Sequence, residues 1–102
     1  MYSARDQRDN EKWLARIDAA ADSLELGSEA RSYASDMFLT QLPGEDRSKQ
    51  AVAAASLYAG ALIAGEERSQ SAVADAMDVS RLSIQQRWKD ILTEAGFRPP
   101  SW

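Results

Sequence analysis

The sequence predicts an all-α domain: a five-helix bundle around a central third helix, with the fourth and fifth helices forming a helix-turn-helix. Three observations predict it. Apolar residues recur at three- and four-residue steps, and no segment alternates apolar and polar as a strand would. Residues 49–64 are apolar nearly all round, yet too short and small-sided for a bilayer, so other helices must wrap them. Near the end of the chain, two helical patterns flank a three-residue turn with small and apolar residues at helix-turn-helix spacings. A chain of 102 residues with 44% hydrophobic content makes one domain and one core, and excludes a disordered tail.

The first helix is expected from Asp9 to Glu25, with Trp13, Leu14, Ile17, Ala20, Ala21 and Leu24 on one face. Gly27 is its expected stop. Residues 1–8 read as a frayed polar tail, 9–97 as the domain and 98–102 as a C-terminal tail. Ser28 is expected to cap the second helix, with Glu29 favourable in its first turn. Ala30, Tyr33, Ala34, Met37, Phe38 and Leu42 form its apolar stripe, and Pro43-Gly44 ends it.

Ser48 is expected to cap the third helix, whose alanines and Gly60 allow close packing by its neighbours. After the polar connector Gly65-Glu66-Glu67-Arg68, Ser69 or Ser71 starts a short fourth helix ending near Met77. Asp78-Val79-Ser80 is a tight turn, and Ser80 caps a fifth helix running to about Ala95. Gly96 follows, and Pro99-Pro100 forbids continuation.

The turn between the last two helices meets six constraints within fifteen residues. Ala74 is the small residue where the helices cross, and Val73, Met77, Val79 and Ile84 are the apolar seams. Asp78 stands where glycine is common, and aspartate tolerates left-handed backbone better than most residues. At about 100° per residue, Ile84, Trp88, Ile91, Leu92 and Ala95 face the core, and Leu82, Gln85, Gln86 and Lys89 point away. Arg81 and Ser83 lie at the N-terminal end, where a recognition helix meets base edges. Glutamine can pair with adenine, and an exposed leucine can lie against a thymine methyl. Arg87 flanks this face and reaches either a phosphate or Asp90 and Glu94. Further phosphate contacts are expected at two helix starts, from Ser69, Gln70 and Ser71, and from Arg47, Ser48 and Lys49.

The charge argues against a generic nucleic-acid binder but is uneven. The net charge is −4. Residues 1–67 carry seven Lys/Arg against twelve Asp/Glu, and residues 68–102 carry five against four. Nine arginines, three lysines and abundant Asp and Ala suit a salt-loaded cytoplasm, which points to a halophilic source.

Histidine and cysteine are both absent, which removes imidazole bases, Ser-His and Cys-His nucleophiles, disulfides and thiolate metal sites. Glu66-Glu67 and Asp75 with Asp78 read as solvated helix ends rather than catalytic pairs. The five glycines are scattered and form no phosphate loop. No enzyme, cofactor or metal is expected. The start of the chain lacks a signal peptide's apolar stretch, so an intracellular, cytoplasmic protein is expected.

The order of elements and two stretches of sequence resemble a known family. Arg47-Ser48 followed by Ala51-Val52-Ala53-Ala54-Ala55-Ser56-Leu57-Tyr58 is similar to the third helix of a cyclin-box repeat in archaeal transcription factor B and eukaryotic transcription factor IIB. Ser69-Gln70-Ser71-Ala72-Val73-Ala74, then Val79-Ser80, Ser83-Ile84 and Arg87-Trp88-Lys89, resembles the end of their second repeat. The likeness covers roughly residues 10–97 and is strongest from Arg47 to Leu92. It implies a cyclin-like fold, contact with double-stranded DNA beside the TATA box, and docking on TATA-binding protein. It implies DNA roles for Ser80, Arg81, Leu82, Ser83, Gln85 and Gln86, and backbone roles for Arg47, Lys49 and Lys89. Gln85 departs from the arginine common there in the family, so base preference is expected to differ. Full-length members carry a zinc ribbon and two repeats, whereas this chain has no cysteine and room for one repeat. Met1 and the closing Pro99-Pro100-Ser101-Trp102 favour a short single-repeat protein over an excised domain.

Two functions compete. One is a DNA-binding transcription regulator or accessory initiation factor. The other is a protein-interaction module whose acidic first two helices dock on a basic partner such as TATA-binding protein. A basic patch around Arg81, Arg87, Lys89 and Lys49 favours the first, and an unbroken acidic surface the second.

Overall fold

The computed structural model describes residues 10–41 and 46–99. They form α1 (Glu11–Ser23), α2 (Ser28–Gln41), α3 (Asp46–Ile63), α4 (Gln70–Met77), α5 (Arg81–Gln85) and α6 (Trp88–Glu94), and no strand is present among them. The expected tail at residues 1–8, the Pro43-Gly44 stop and residues 100–102 lie outside the described residues. No helix of the described residues is long and apolar enough to cross a membrane.

The central position of α3 follows from its composition. It touches every other helix, and its residues from Ala53 to Ala61 are all buried. Small side chains let the neighbours come close. A methyl built on Gly60 would stand 2.8 Å from the Ala30 carbonyl oxygen and 2.8 Å from the Ala34 nitrogen, so the α2–α3 crossing requires glycine there. Trp13, Ile17, Phe38, Leu57, Met77, Ile84, Trp88 and Leu92 fill the layers around this axis. Trp88 meets Tyr58 of α3 edge to face, with ring centroids 5.2 Å apart.

Four helix ends close by one device. After α1, α3, α4 and α6, a residue with positive φ follows the last turn, and the next amide returns to a carbonyl five residues back. Gly65 and Gly96 serve two of these ends, as composition suggests, and Glu25 and Asp78 serve the others. The expected stop of the first helix at Gly27 is therefore corrected: Glu25 takes the left-handed conformation, with Leu26 buried behind it. The cost of placing glutamate there is offset from afar. Arg68 donates from Nε to the Leu24 carbonyl at 3.0 Å and from Nη2 to the Glu25 carbonyl at 3.4 Å.

The expected caps fare unequally. Ser69 accepts from the Ala72 amide and Ser80 from the Ser83 amide. Ser28 instead lies within α2, and Gly27 precedes it; the Gly27 amide donates to both carboxylate oxygens of Glu66, at 3.1 and 3.2 Å. Glu66 is thus an acceptor that ties one connector to another, not a solvated helix end. Ser48 likewise lies inside α3, which already begins at Asp46.

The fifth helix is interrupted. α5 ends at Gln85, and α6 starts at Trp88. An unbroken helix would pair the Arg87 amide with the Ser83 carbonyl. That carbonyl accepts from the Arg87 guanidinium at 3.1 Å, while the Arg87 amide turns to Ile84 at 3.0 Å. Trp88, Ile91 and Leu92 beyond the break are buried as expected, whereas Ala95, expected in the core, is exposed just past the last residue of α6. Phe97 packs against the core in its place.

Candidate nucleic-acid interface

α4, the turn and α5 form the helix-turn-helix. Val73, Ala74 and Met77 bury one side of α4, and Ile84 anchors α5. Asp78 sits at φ 57 and ψ 48, the left-handed conformation expected of it. The turn is held from beneath by a residue that sequence reading overlooked. Gln50, near the start of α3, donates from Nε2 to the Met77 carbonyl at 3.2 Å and to the Asp78 carbonyl at 3.0 Å. Its position between Lys49 and Ala51 on a helix otherwise rich in alanine was the available signal.

With Ile84 inward, α5 turns an outer face to solvent. Ser80, Arg81, Leu82, Gln85 and Gln86 are all exposed. Leu82 is 59% exposed and is the large hydrophobic residue left uncovered among those described. Ser83 is half-buried, and its hydroxyl lies 3.0 Å from that of Ser80. The Ser80 hydroxyl also accepts the Ser83 amide at 3.2 Å, so both serines are engaged in starting the helix.

The remaining candidates are less tightly grouped. Lys89 belongs to α6, beyond the interruption, where it is half-buried with its ammonium 5.5 Å from the Trp88 ring centre. Arg87, expected to reach a phosphate or Asp90 and Glu94, turns its guanidinium back onto the Ser83 carbonyl. Lys49 is half-buried beside Gln50, which brings the start of α3 next to the turn. The side chains of Arg47 and Ser48 lie outside the described residues. Gln70, in the first turn of α4, is half-buried with its Oε1 shielded from solvent. Burial pushes the Tyr58 phenol above its ordinary range, a hydrogen bond from Gln70 opposes the shift, and the charge of Glu67 adds to it. Gln70 thus lies against Tyr58 rather than on the outer face.

The arrangement offers one exposed apolar side chain, two exposed amides and one exposed guanidinium on a short anchored helix. That combination can read base edges but neutralises few phosphates. Among the described residues no group of three or more carboxylates could hold a metal ion.

The family model described as Transcription factor TFIIB repeat matches residues 8–94 of the chain. No curated protein matches it.

Proposed function

The chain belongs to the family of transcription factor TFIIB repeats, and we propose that it acts as a DNA-binding transcription regulator or accessory initiation factor, reading promoter DNA with α5. The observation that carries this reading is the uncovered Leu82, 59% exposed between Arg81 and the exposed amides of Gln85 and Gln86. A leucine on a merely solvated face gains nothing there, whereas beside a thymine methyl it is buried. Arg81 and the two glutamines supply the donors and acceptors that base edges require. On this reading Gln70, turned to Tyr58, positions α4 rather than contacting DNA. Arg47, Lys49 and Lys89 border the footprint.

Among the described residues few cations are free on this face, so the sequence-independent share of the binding is small. Log affinity falls with log salt in proportion to the number of phosphates neutralised, with a slope of about −0.9 per contact. A shallow slope suits a protein that works in concentrated salt, as its arginine-rich, acidic composition suggests, and in the cytoplasm with the chromosome. It also suits a factor that borrows affinity from a protein already on the promoter, TATA-binding protein being the family's implied partner.

A second reading is docking on a transcription protein without DNA contact. The observation favouring it is the run of exposed carboxylates on and just after α1 and along α2: Glu11, Asp18, Asp22, Glu25, Glu29 and Asp36. Fluorescence anisotropy of a labelled promoter duplex in high potassium chloride, with and without TATA-binding protein, separates the two. The DNA reading expects binding that tightens with TATA-binding protein and weakens on the order of tenfold for Gln86→Ala or Arg81→Ala. Equal affinity of these variants and the wild type would overturn it. Binding to TATA-binding protein with no DNA dependence would establish the second.

A further inference from the structure

Three exposed side chains of the turn helix are helical neighbours. Leu82 stands at i, and Gln85 and Gln86 at i+3 and i+4, so the leucine lies beside both amides on one side of α5. Gln86 closes the helix with φ −77 and ψ −14, so the helical spacing holds through the pair. Among the described residues no partner holds either amide. The cations of the same stretch are unequal. Arg81 is exposed. Arg87 is half-buried and gives its guanidinium to the Ser83 carbonyl at 3.1 Å. No carboxylate belongs to α5.

We propose that α5 selects A·T base pairs in the major groove, with Leu82, Gln85 and Gln86 as the residues that set the preference. The proposal rests on the DNA reading above and names what that face reads. An adenine edge sets an acceptor, N7, beside a donor, the N6 amine. One glutamine amide, with one acceptor oxygen and one donor nitrogen, meets both. The thymine of such a pair carries a C5 methyl group, and that methyl covers Leu82. The groups an A·T step calls for are therefore adjacent on one face, and two glutamines serve two neighbouring pairs. The same side chains meet a G·C pair badly. Guanine offers two acceptors in place of an acceptor and a donor, so the amide oxygen loses its partner. Cytosine offers an N4 donor and no methyl. Leucine against it strips water from that donor, and no carboxylate of α5 accepts from it. A guanine contact calls for a guanidinium, and Arg81 alone on α5 has one to give, since Arg87 holds its own helix. The selected element is thus an A·T step with at most one guanine beside it.

The test is selection, on the whole chain in high potassium chloride, of duplexes with a fixed TATA box and randomised flanks. It is run with and without TATA-binding protein, and TATA-binding protein alone supplies the background. Fluorescence anisotropy then measures the selected duplex. The selected flank is expected to be enriched in A·T pairs over the background. Replacing those pairs by G·C should weaken binding on the order of tenfold. Replacing their thymines by uracil, which removes only the methyl groups, should weaken it about fourfold. Leu82→Ala should bind the thymine and uracil duplexes equally, and the double variant Gln85→Ala, Gln86→Ala should lose the preference for A·T over G·C. All three positions are exposed, and circular dichroism confirms folding. Absence of duplex binding under both conditions would overturn the DNA reading and this proposal with it. Duplex binding with flanks rich in G·C or without base preference would overturn this proposal alone. So would equal affinity of the wild type for thymine and uracil duplexes, or a uracil effect that persists in Leu82→Ala.

Discussion

The joint between α1 and α2 and the joint between α4 and α5 use the same local device and are held from different sides. Each helix ends on an acidic residue with left-handed backbone, Glu25 at φ 58 and Asp78 at φ 57. In each the next amide returns to the last turn, Leu26 to Ala21 at 2.9 Å and Val79 to Ala74 at 3.0 Å. The first joint is covered by charge. Arg68 grips the Leu24 and Glu25 carbonyls, and Glu66 grips the Gly27 amide. The second is held from beneath by one neutral amide, that of Gln50. The outward side of the second joint is therefore open, and Ser80, Arg81 and Leu82 occupy it. Local turn chemistry is the same in both places; the direction of the clamp separates a structural joint from an exposed one.

Breaking the first clamp should cost most. Arg68→Ala removes the donor to four carbonyls, those of Leu24, Glu25, Glu66 and Glu67. A loss of about 2–3 kcal/mol is expected, since hydrogen bonds from a charged donor count for more than neutral ones. Thermal unfolding should show a fall in Tm on the order of 10 °C or more, with the DNA affinity of the folded protein unchanged. A smaller loss than that of Gln50→Ala would break the comparison.

Gln50→Ala comes next. It leaves the Met77 and Asp78 carbonyls without their donor, at a cost of about 1–2 kcal/mol. On the proposed DNA reading it should, unlike Arg68→Ala, also weaken duplex binding, because the turn that carries α5 loosens. Urea unfolding and anisotropy on one sample measure both.

The two left-handed residues sharpen the comparison with gains instead of losses. Glu25→Gly relieves a side chain from a conformation costing about 1–2 kcal/mol, so a gain of about 1 kcal/mol is expected in the urea midpoint. Asp78→Gly should gain only a few tenths of a kcal/mol, because aspartate already tolerates the left-handed region. Equal gains at both sites would show that the Arg68 clamp does not hold Glu25 in a costly backbone.

Much of the scaffold was legible in the residues. The periods of Trp13–Ile17 and Val73–Met77, the caps at Ser69 and Ser80 and the left-handed Asp78 follow from neighbours a turn away or less, and the small residues around Gly60 signalled a close approach whose partners, Ala30 and Ala34, lie on another helix. The exposure of Leu82 was legible too, because Ile84 fixes the inward direction two residues later. The stop of α1 at Glu25 was not. Gly27 is the better local candidate, and only Arg68, some forty residues on, makes glutamate acceptable. Nor was the interruption at Arg87 legible, since it depends on a guanidinium competing with its own amide for the Ser83 carbonyl. The same angular reading placed Trp88, Ile91 and Leu92 correctly but was carried past Glu94, where the helix ends, so it assigned Ala95 to the core although Phe97 packs there instead.

By itself the sequence determined the helical class, the wrapped third helix, the ends of the helices around the turn and the outward leucine of the turn. Those depend on apolar spacing and on hydrogen bonds between residues a few positions apart. Tertiary structure alone decided which polar side chains remain available for a ligand. Glu66, Arg68 and Gln70 read as surface groups in the chain and Gln50 drew no reading, yet each is engaged with a distant segment or shielded beside one. The physical reason is reach: a long polar side chain bonds whichever unpaired amide or carbonyl folding brings near, and spacing along the chain carries no record of that.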